Sequence, residues 1–315
     1  MLKNEIISKI EIKEDNTRER IINSSEEVER RISLYDSDNN DSIDKEEEIK
    51  DCEIYINKIK VDSKYLHFFD KKGIYTINYK FNKLVTSAKC MFSDCRSLLS
   101  LDLSNFNTQN IIDMSYMFFG CESLLSINLS NYNTQKVANM EHMFFNCNSL
   151  PSLNLSSFYT KNVTNMESMF SFCQSLLSLD LTNFNTQKVN NMESMFSSCY
   201  SLKSINLSNF NTENVTNMGK MFYDCYSLLS LDLSSFNTIN VTYMASMFSN
   251  CYSLLSLDLN NFNTINVINM SHMFSNCYSL TSLELSNFNI ENIANIDYIF
   301  KNCNSLVNKV IIFLK

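Results

Sequence analysis

Tryptophan is absent from this chain, proline occurs once, and glycine occurs three times in 315 residues. Turns that usually fall to Gly and Pro must therefore be made by Asn, Asp and Ser, whose side chains bond nearby backbone. A basic excess is also missing: 26 Lys and Arg stand against 34 Asp and Glu, a net charge of -8. Without a clustered basic face the chain lacks what binds a phosphate backbone, so nucleic acid is excluded as a partner. No apolar run reaches about 18 residues, which excludes a membrane-spanning helix. The first residues, MLKNEIISKIEIKEDNTRER, are dense in charge and have no apolar core of a secretion signal. The expectation from that absence is a cytoplasmic protein.

What is abundant is Cys, Met and Phe, at 11, 16 and 23 copies. Nine cysteines fall at a constant step of 26: Cys95, Cys121, Cys147, Cys173, Cys199, Cys225, Cys251, Cys277 and Cys303. Every Met except Met1 lies in one of two columns with the same step, one through Met114 and Met140, the other through Met91 and Met117. A period of that size marks stacked repeats, each burying its apolar face on its neighbours. The segment SLLSLDLSNF places Leu98, Leu101 and Leu103 in the LxxLxL pattern of a short repeat strand. NFNT then reads as a turn, with Asn and Thr able to satisfy local backbone. Ile111, Met114, Met117, Phe118, Cys121 and Leu124 follow at steps of mostly three, which predicts a helical or 3₁₀ segment with one face inward. The fold class expected is an α/β repeat solenoid. It is a right-handed, leucine-rich-repeat-like coil with a parallel β-sheet of about eight short strands on one face.

These repeats resemble the BspA-like leucine-rich repeat family, whose units read like MFxxCxSLxxLDLSxFxTxxVxxM. The likeness covers about residues 84–306 and extends to the spacing, the Cys column, the Met-Phe pair and the LDLS core. It implies a surface or adhesion protein and hence a possible place at the cell surface.

Residues 1–83 differ. Within the first 84 positions lie 35 of the 60 charged residues. CEIYINKIKVD and GIYTINYKF alternate like strands, with IISKIEIKE a weaker third, and SSEEVERRISLY reads as a helix. This region is expected to be a small β-rich cap over a solenoid spanning 84–315, because an open coil exposes core. Between its strands, DSDNNDSIDKEE matches the register of a calcium loop through Asp36, Asp38, Asn40, Asp44 and Glu47. Asp41 stands where that loop needs Gly, and no second hand is present to pair with it. The segment is therefore read as an acidic, solvated linker, with a calcium loop as the alternative.

Catalytic chemistry is poorly supplied. The ladder cysteines are one per coil, not the closely spaced pairs of a metal site, and read as buried thiols. His142 and His272 share a column five coils apart, and no Ser or Cys has a base at fixed spacing. No cofactor, metal or enzymatic activity is expected. Sequons at Asn128, Asn162, Asn214 and Asn240 follow from the repeat itself. Function is expected in the outward columns, which are free of the interlocking core. One column carries Asp102, Asp180, Asp232, Asp258 and Glu284; a second carries Leu125, Leu177, Leu229 and Leu255; a third carries Tyr200, Tyr226, Tyr252 and Tyr278. An apolar row beside an acidic row fits a protein partner, whereas simple solvation also accounts for the acids, and somewhat better, and packing at the strand edge accounts equally for the tyrosines.

Overall fold

Alternation of apolar and polar residues builds the first strands. A computed structural model describes residues 4–24, 52–62, 65–285, 287–306 and 310–311. The acidic segment with Asp36, Asp38, Asn40, Asp44 and Glu47, and the helix expected just before it, lie outside these residues. The chain falls into two compact units, Met1–Phe158 and Tyr159–Lys315.

In the first unit, β1 (Glu5–Ile12) buries Ile6, Ile10 and Ile12 on one face. It pairs antiparallel with β6 (Gly73–Phe81), which in turn pairs with β3 (Cys52–Ile56), and β3 with β4 (Ile59–Val61). A separate pair joins β2 (Thr17–Arg20) to β5 (Leu66–Phe69). The other edge of β1 pairs antiparallel with β7 (Leu98–Asp102), the first repeat strand, and β7 pairs parallel with β8 (Ser126–Asn128). The result is one six-stranded sheet in the order β4-β3-β6-β1-β7-β8.

The first coil is closed chemically as well as sterically. Within the stack, backbone N–H groups of one coil donate to carbonyls of the next, as Phe92 does to Met117 and Asp94 to Phe119. The equivalent carbonyls of the first coil are those of Met91 and Ser93. Asn23 supplies both donors: its backbone N–H reaches Met91 O at 2.8 Å and its Nδ2 reaches Ser93 O at 2.7 Å. Its Oδ1 accepts from Arg20 at 2.8 Å and from the Ser24 N–H at 2.9 Å. One fully buried residue thus imitates a preceding coil.

The second unit carries β9 (Ser178–Asp180), β10 (Ser204–Asn206), β11 (Ser256–Leu257), β12 (Ser282–Glu284) and β13 (Val310–Ile311). All pair parallel, Ser178 with Ser204 and Ser256 with Ser282. Inside lie the Leu, Met, Phe and Cys columns. Phe170, Phe196, Phe222, Phe248, Phe274 and Phe300 stack ring on ring at 5.5–5.7 Å.

The expected helical half differs. Among the described residues there is no α-helix, and the only 3₁₀ turn is Asn304–Leu306. Two residues per coil sit in the left-handed region, which ends any helix before it begins. They form columns of step 26: Tyr116, His142, Ser168, Ser194, Lys220, Ser246 and His272 in one, Gly120, Asn146, Phe172, Ser198, Asp224, Asn250 and Asn276 in the other. Between them the backbone alternates two kinds of hydrogen bond. Met117, Phe119 and Cys121 donate three residues back, to Met114, Tyr116 and Phe118. Met114, Tyr116, Phe118 and Gly120 donate to Asn139, Glu141, Met143 and Phe145 of the following coil. Each coil is therefore turns with at most one short strand, which the coils at 152–154 and 230–232 lack, so the expected sheet of about eight strands is instead split into separate short sheets; the turns form a second inter-coil ladder.

The Asn and Thr of NFNT divide their work. Asn185, Asn211, Asn237 and Asn263 cap locally, accepting the N–H two residues on. The threonines instead reach across. Buried Thr212 donates to Asn237 O and accepts from Asn237 N, both at 2.8 Å, and Thr160, Thr186, Thr238 and Thr264 do the same one coil on. Thr212→Val keeps the shape but strands both groups. We expect it to cost about 2 kcal/mol in denaturant unfolding. A loss below about 0.5 kcal/mol, the level of an ordinary surface change, would contradict this role.

Candidate functional site

The outward face of the strand side follows from the period of two along each strand. In Ser178–Asp180 the middle leucine is buried and its neighbours are exposed, and Ser282–Glu284 repeats this pattern. Asp180, Asp232, Asp258 and Glu284 therefore point outward, as does every serine between the leucines. One column further back, Leu177, Leu229 and Leu255 stand 51–52% exposed, while the strand leucines Leu179, Leu231 and Leu257 are buried. The Leu255 N–H donates to Leu229 O, which makes these coils neighbours and sets Asp232 beside Asp258. In the first unit Leu125 is 54% exposed and Asp102 is half-buried.

The acidic column has a structural job that its position in the sequence only hinted at. Asp180, Asp232 and Asp258 accept the N–H groups of Thr182, Ser234 and Asn260 at 3.0–3.1 Å. Asn128, Asn154 and Asn206 make the same turn in their coils at 3.0–3.2 Å. An amide and a carboxylate cap equally, so the turn does not require the charge. Hydrogen bonds from Ser234 hold the Asp232 carboxyl below the usual carboxylate range.

The four tyrosines form one stack. Tyr200 lies 4.7 Å from Tyr226, Tyr226 lies 4.6 Å from Tyr252, and Tyr252 lies 5.1 Å from Tyr278. The first two contacts are within 6° of parallel, so the ring faces are spent on each other and the edges face out. Tyr200, Tyr226 and Tyr252 are half-buried and Tyr278 is exposed. Burial, reinforced by Asp224, pushes the Tyr226 phenol well up, and burial raises Tyr252 as well.

Two features were not anticipated. Asp224, in a left-handed position, is a buried carboxyl whose pKa is raised by desolvation. It accepts from Asn250 Nδ2 at 2.6 Å and starts a chain of amides, Asn276 to Asn250 at 2.5 Å and Asn302 to Asn276 at 2.7 Å. The signal was a column in which one Asp precedes a run of Asn. In the first unit, Tyr116, Phe119, His142 and Phe145 form a half-buried aromatic cluster, with Tyr116 stacked on His142 at 4.7 Å and Phe119 on Phe145 at 4.8 Å. The Tyr116 hydroxyl donates to Glu141 at 2.8 Å, and His142 Nδ1 lies 3.4 Å from the same carboxyl. These two contacts, His142 first, hold Glu141 below its ordinary pKa. Here the signal was Phe119 and Phe145 standing in a column that is mostly Ser in the second unit, beside Tyr116 and His142.

The thiols behave as the period implied. None of the cysteines is in a disulfide, and the ladder thiols are buried. Cys121, Cys199, Cys225, Cys251 and Cys277 each donate to a Phe carbonyl of the preceding coil at 3.1–3.2 Å. Desolvation raises their pKa values, that of Cys277 to about 12.

Buried leucines recur every 26 residues beside short parallel strands, the arrangement of a leucine-rich repeat. The chain belongs to the family described as Mycoplasma protein of unknown function, DUF285, which matches it twice, over residues 86–205 and 199–312. No curated protein matches the chain. A crystallographically solved leucine rich cell surface protein from Faecalibacterium prausnitzii is 16% identical, with a TM-score of 0.32, over 72% of this chain and 76% of that one. Among the described residues no helix is long and apolar enough to cross a membrane.

Proposed function

We propose that this protein is a non-enzymatic interaction module that binds a protein partner through the outward face of its strand side. One observation carries the reading: Leu177, Leu229 and Leu255 stay half-exposed while the inward leucines two positions on, Leu179, Leu231 and Leu257, are buried. A repeated apolar row flanked by polar rows is the composition of a binding strip, apolar for affinity and polar for orientation. A surface or adhesion role of the BspA-like kind is the second reading, favoured by the MFxxC and LDLS motifs. It differs in where the partner is met and leaves the contact face the same.

The test starts from a partner captured on the intact protein and identified by mass spectrometry. Leu229→Ala with Leu255→Ala should then weaken its binding about tenfold, or 1.4 kcal/mol, with the melting curve little changed. Unchanged binding, with the loss produced instead by Lys188→Glu and Glu193→Lys on the turn side, would move the site off the sheet.

A further inference from the structure

We infer that the partner of the second unit's sheet face is cationic: an amphipathic protein segment that combines Lys or Arg with apolar side chains. The inference rests on the sheet-face reading above and adds the chemistry of the occupant. Three outward columns of this face, running through Leu177, Ser178 and Asp180, contain four carboxylates and one base, Lys203. Asp232, Asp258 and Glu284 occupy successive coils, and like charges side by side repel. At Asp232 and Asp258 the turn does not require the charge. Asn206, in the same column, caps the Ser208 N–H just as Asp232 caps Ser234, so a neutral residue would serve the turn without the repulsion. Charge thus stands at Asp232 and Asp258 where the turn needs only an amide, beside the exposed leucines Leu229 and Leu255.

Complementarity removes the other occupants. A second copy meeting this face with its own would set carboxylates against carboxylates. Nucleic acid and anionic lipid are repelled by the same row and by the net charge of -8. A basic amphipathic segment satisfies both rows at once, its ammonium or guanidinium groups on the acids and its apolar side chains on the leucines. Rings on these coils are spaced 4.6–5.1 Å. Three acids on successive coils therefore span about 10 Å, the length of three strand residues or two helical turns.

Three 14-residue peptides of alternating Lys-Leu, Ser-Leu and Glu-Leu serve as probes, read by fluorescence anisotropy on the intact protein. The Lys-Leu peptide should bind about tenfold tighter than the other two, and the difference should shrink as salt rises. Asp232→Asn with Asp258→Asn keeps both caps and should remove most of that preference without lowering the melting temperature. Equal binding of the Lys-Leu and Ser-Leu peptides, or a Lys-Leu preference untouched by the two Asn changes, would overturn the inference. Leu229→Ala with Leu255→Ala separates the two readings. If it weakens the Ser-Leu peptide while charge has no effect, the sheet face stands as a binding surface and its cationic partner falls. If neither pair of changes affects any peptide, both fall.

Discussion

Cys199→Asp should unfold the second unit at ambient temperature, at a cost of about 4 kcal/mol or more, whereas Cys199→Ala should cost about 1 kcal/mol. The thiol is buried completely, and its one polar contact is a donated bond to Phe170 O at 3.1 Å. Ala loses that weak bond and a small volume. Asp brings a carboxylate into a site walled by the Met, Phe and Leu columns, where no cation waits for it. Far-UV circular dichroism and urea unfolding of the three proteins give the comparison. A Cys199→Asp protein with wild-type unfolding would mean that the column is not an interior. The same burial predicts a pH dependence. Folded-state thiol pKa values are raised, that of Cys277 to about 12, against about 8.5 in an unfolded chain. Above about pH 9 the unfolded chain loses thiol protons that the folded one keeps, so stability present at neutral pH falls as pH climbs from about 9 toward 12. Alkylation at pH 8 should accordingly wait for unfolding.

Asn23→Ala should cost the first unit about 3 kcal/mol, as much as truncating a buried core side chain. The change leaves Ser93 O and the Ser24 N–H without their bonds and takes one acceptor from the buried Arg20 guanidinium. Neither water nor another coil can replace it, because Asn23 is fully buried. Hydrogen exchange should show protection lost around residues 91–95 first, since these are the groups Asn23 covers. A cost below about 1 kcal/mol, or exchange unchanged there, would show that the end of the stack is closed by the sheet alone.

Much of this was legible in the amino acids. The period of 26 placed every inward column, because Met114, Phe118 and Cys121 recur in type wherever they interlock. Ile6, Ile10 and Ile12 alternate, which identified β1, and the same pattern identified β3 and β6. β2 was not visible in TRER, where every residue is polar and the strand is held by pairing with Leu66–Phe69. The turn half misled for a physical reason. Steps of three are shared by a helix and by successive three-residue turns, and left-handed positions usually announce themselves through Gly. Here Ser168, Lys220 and Phe172 occupy them, and Gly120 is the one glycine in either column. What holds them is the inter-coil ladder on each side, which local sequence does not reveal. Thr212 was misassigned likewise, its partner lying 25 residues on. The outward columns were placed from the strand period alone, but that Asp232 and Asn206 perform the same cap became visible only with their bonds to Ser234 and Ser208.

The central claim is that the 26-residue coil is the unit of structure, each joined to the next by backbone and side-chain ladders. Deleting Tyr200–Cys225 joins Cys199 to Tyr226 and removes one unit in register. Urea unfolding should remain a single cooperative transition, with its denaturant dependence reduced in proportion to the surface removed. Deleting 13 residues from the same place should abolish the transition, because every column beyond the cut then faces the wrong ladder. Loss of cooperative unfolding in the 26-residue deletion, to the same extent as in the 13-residue deletion, would contradict the account.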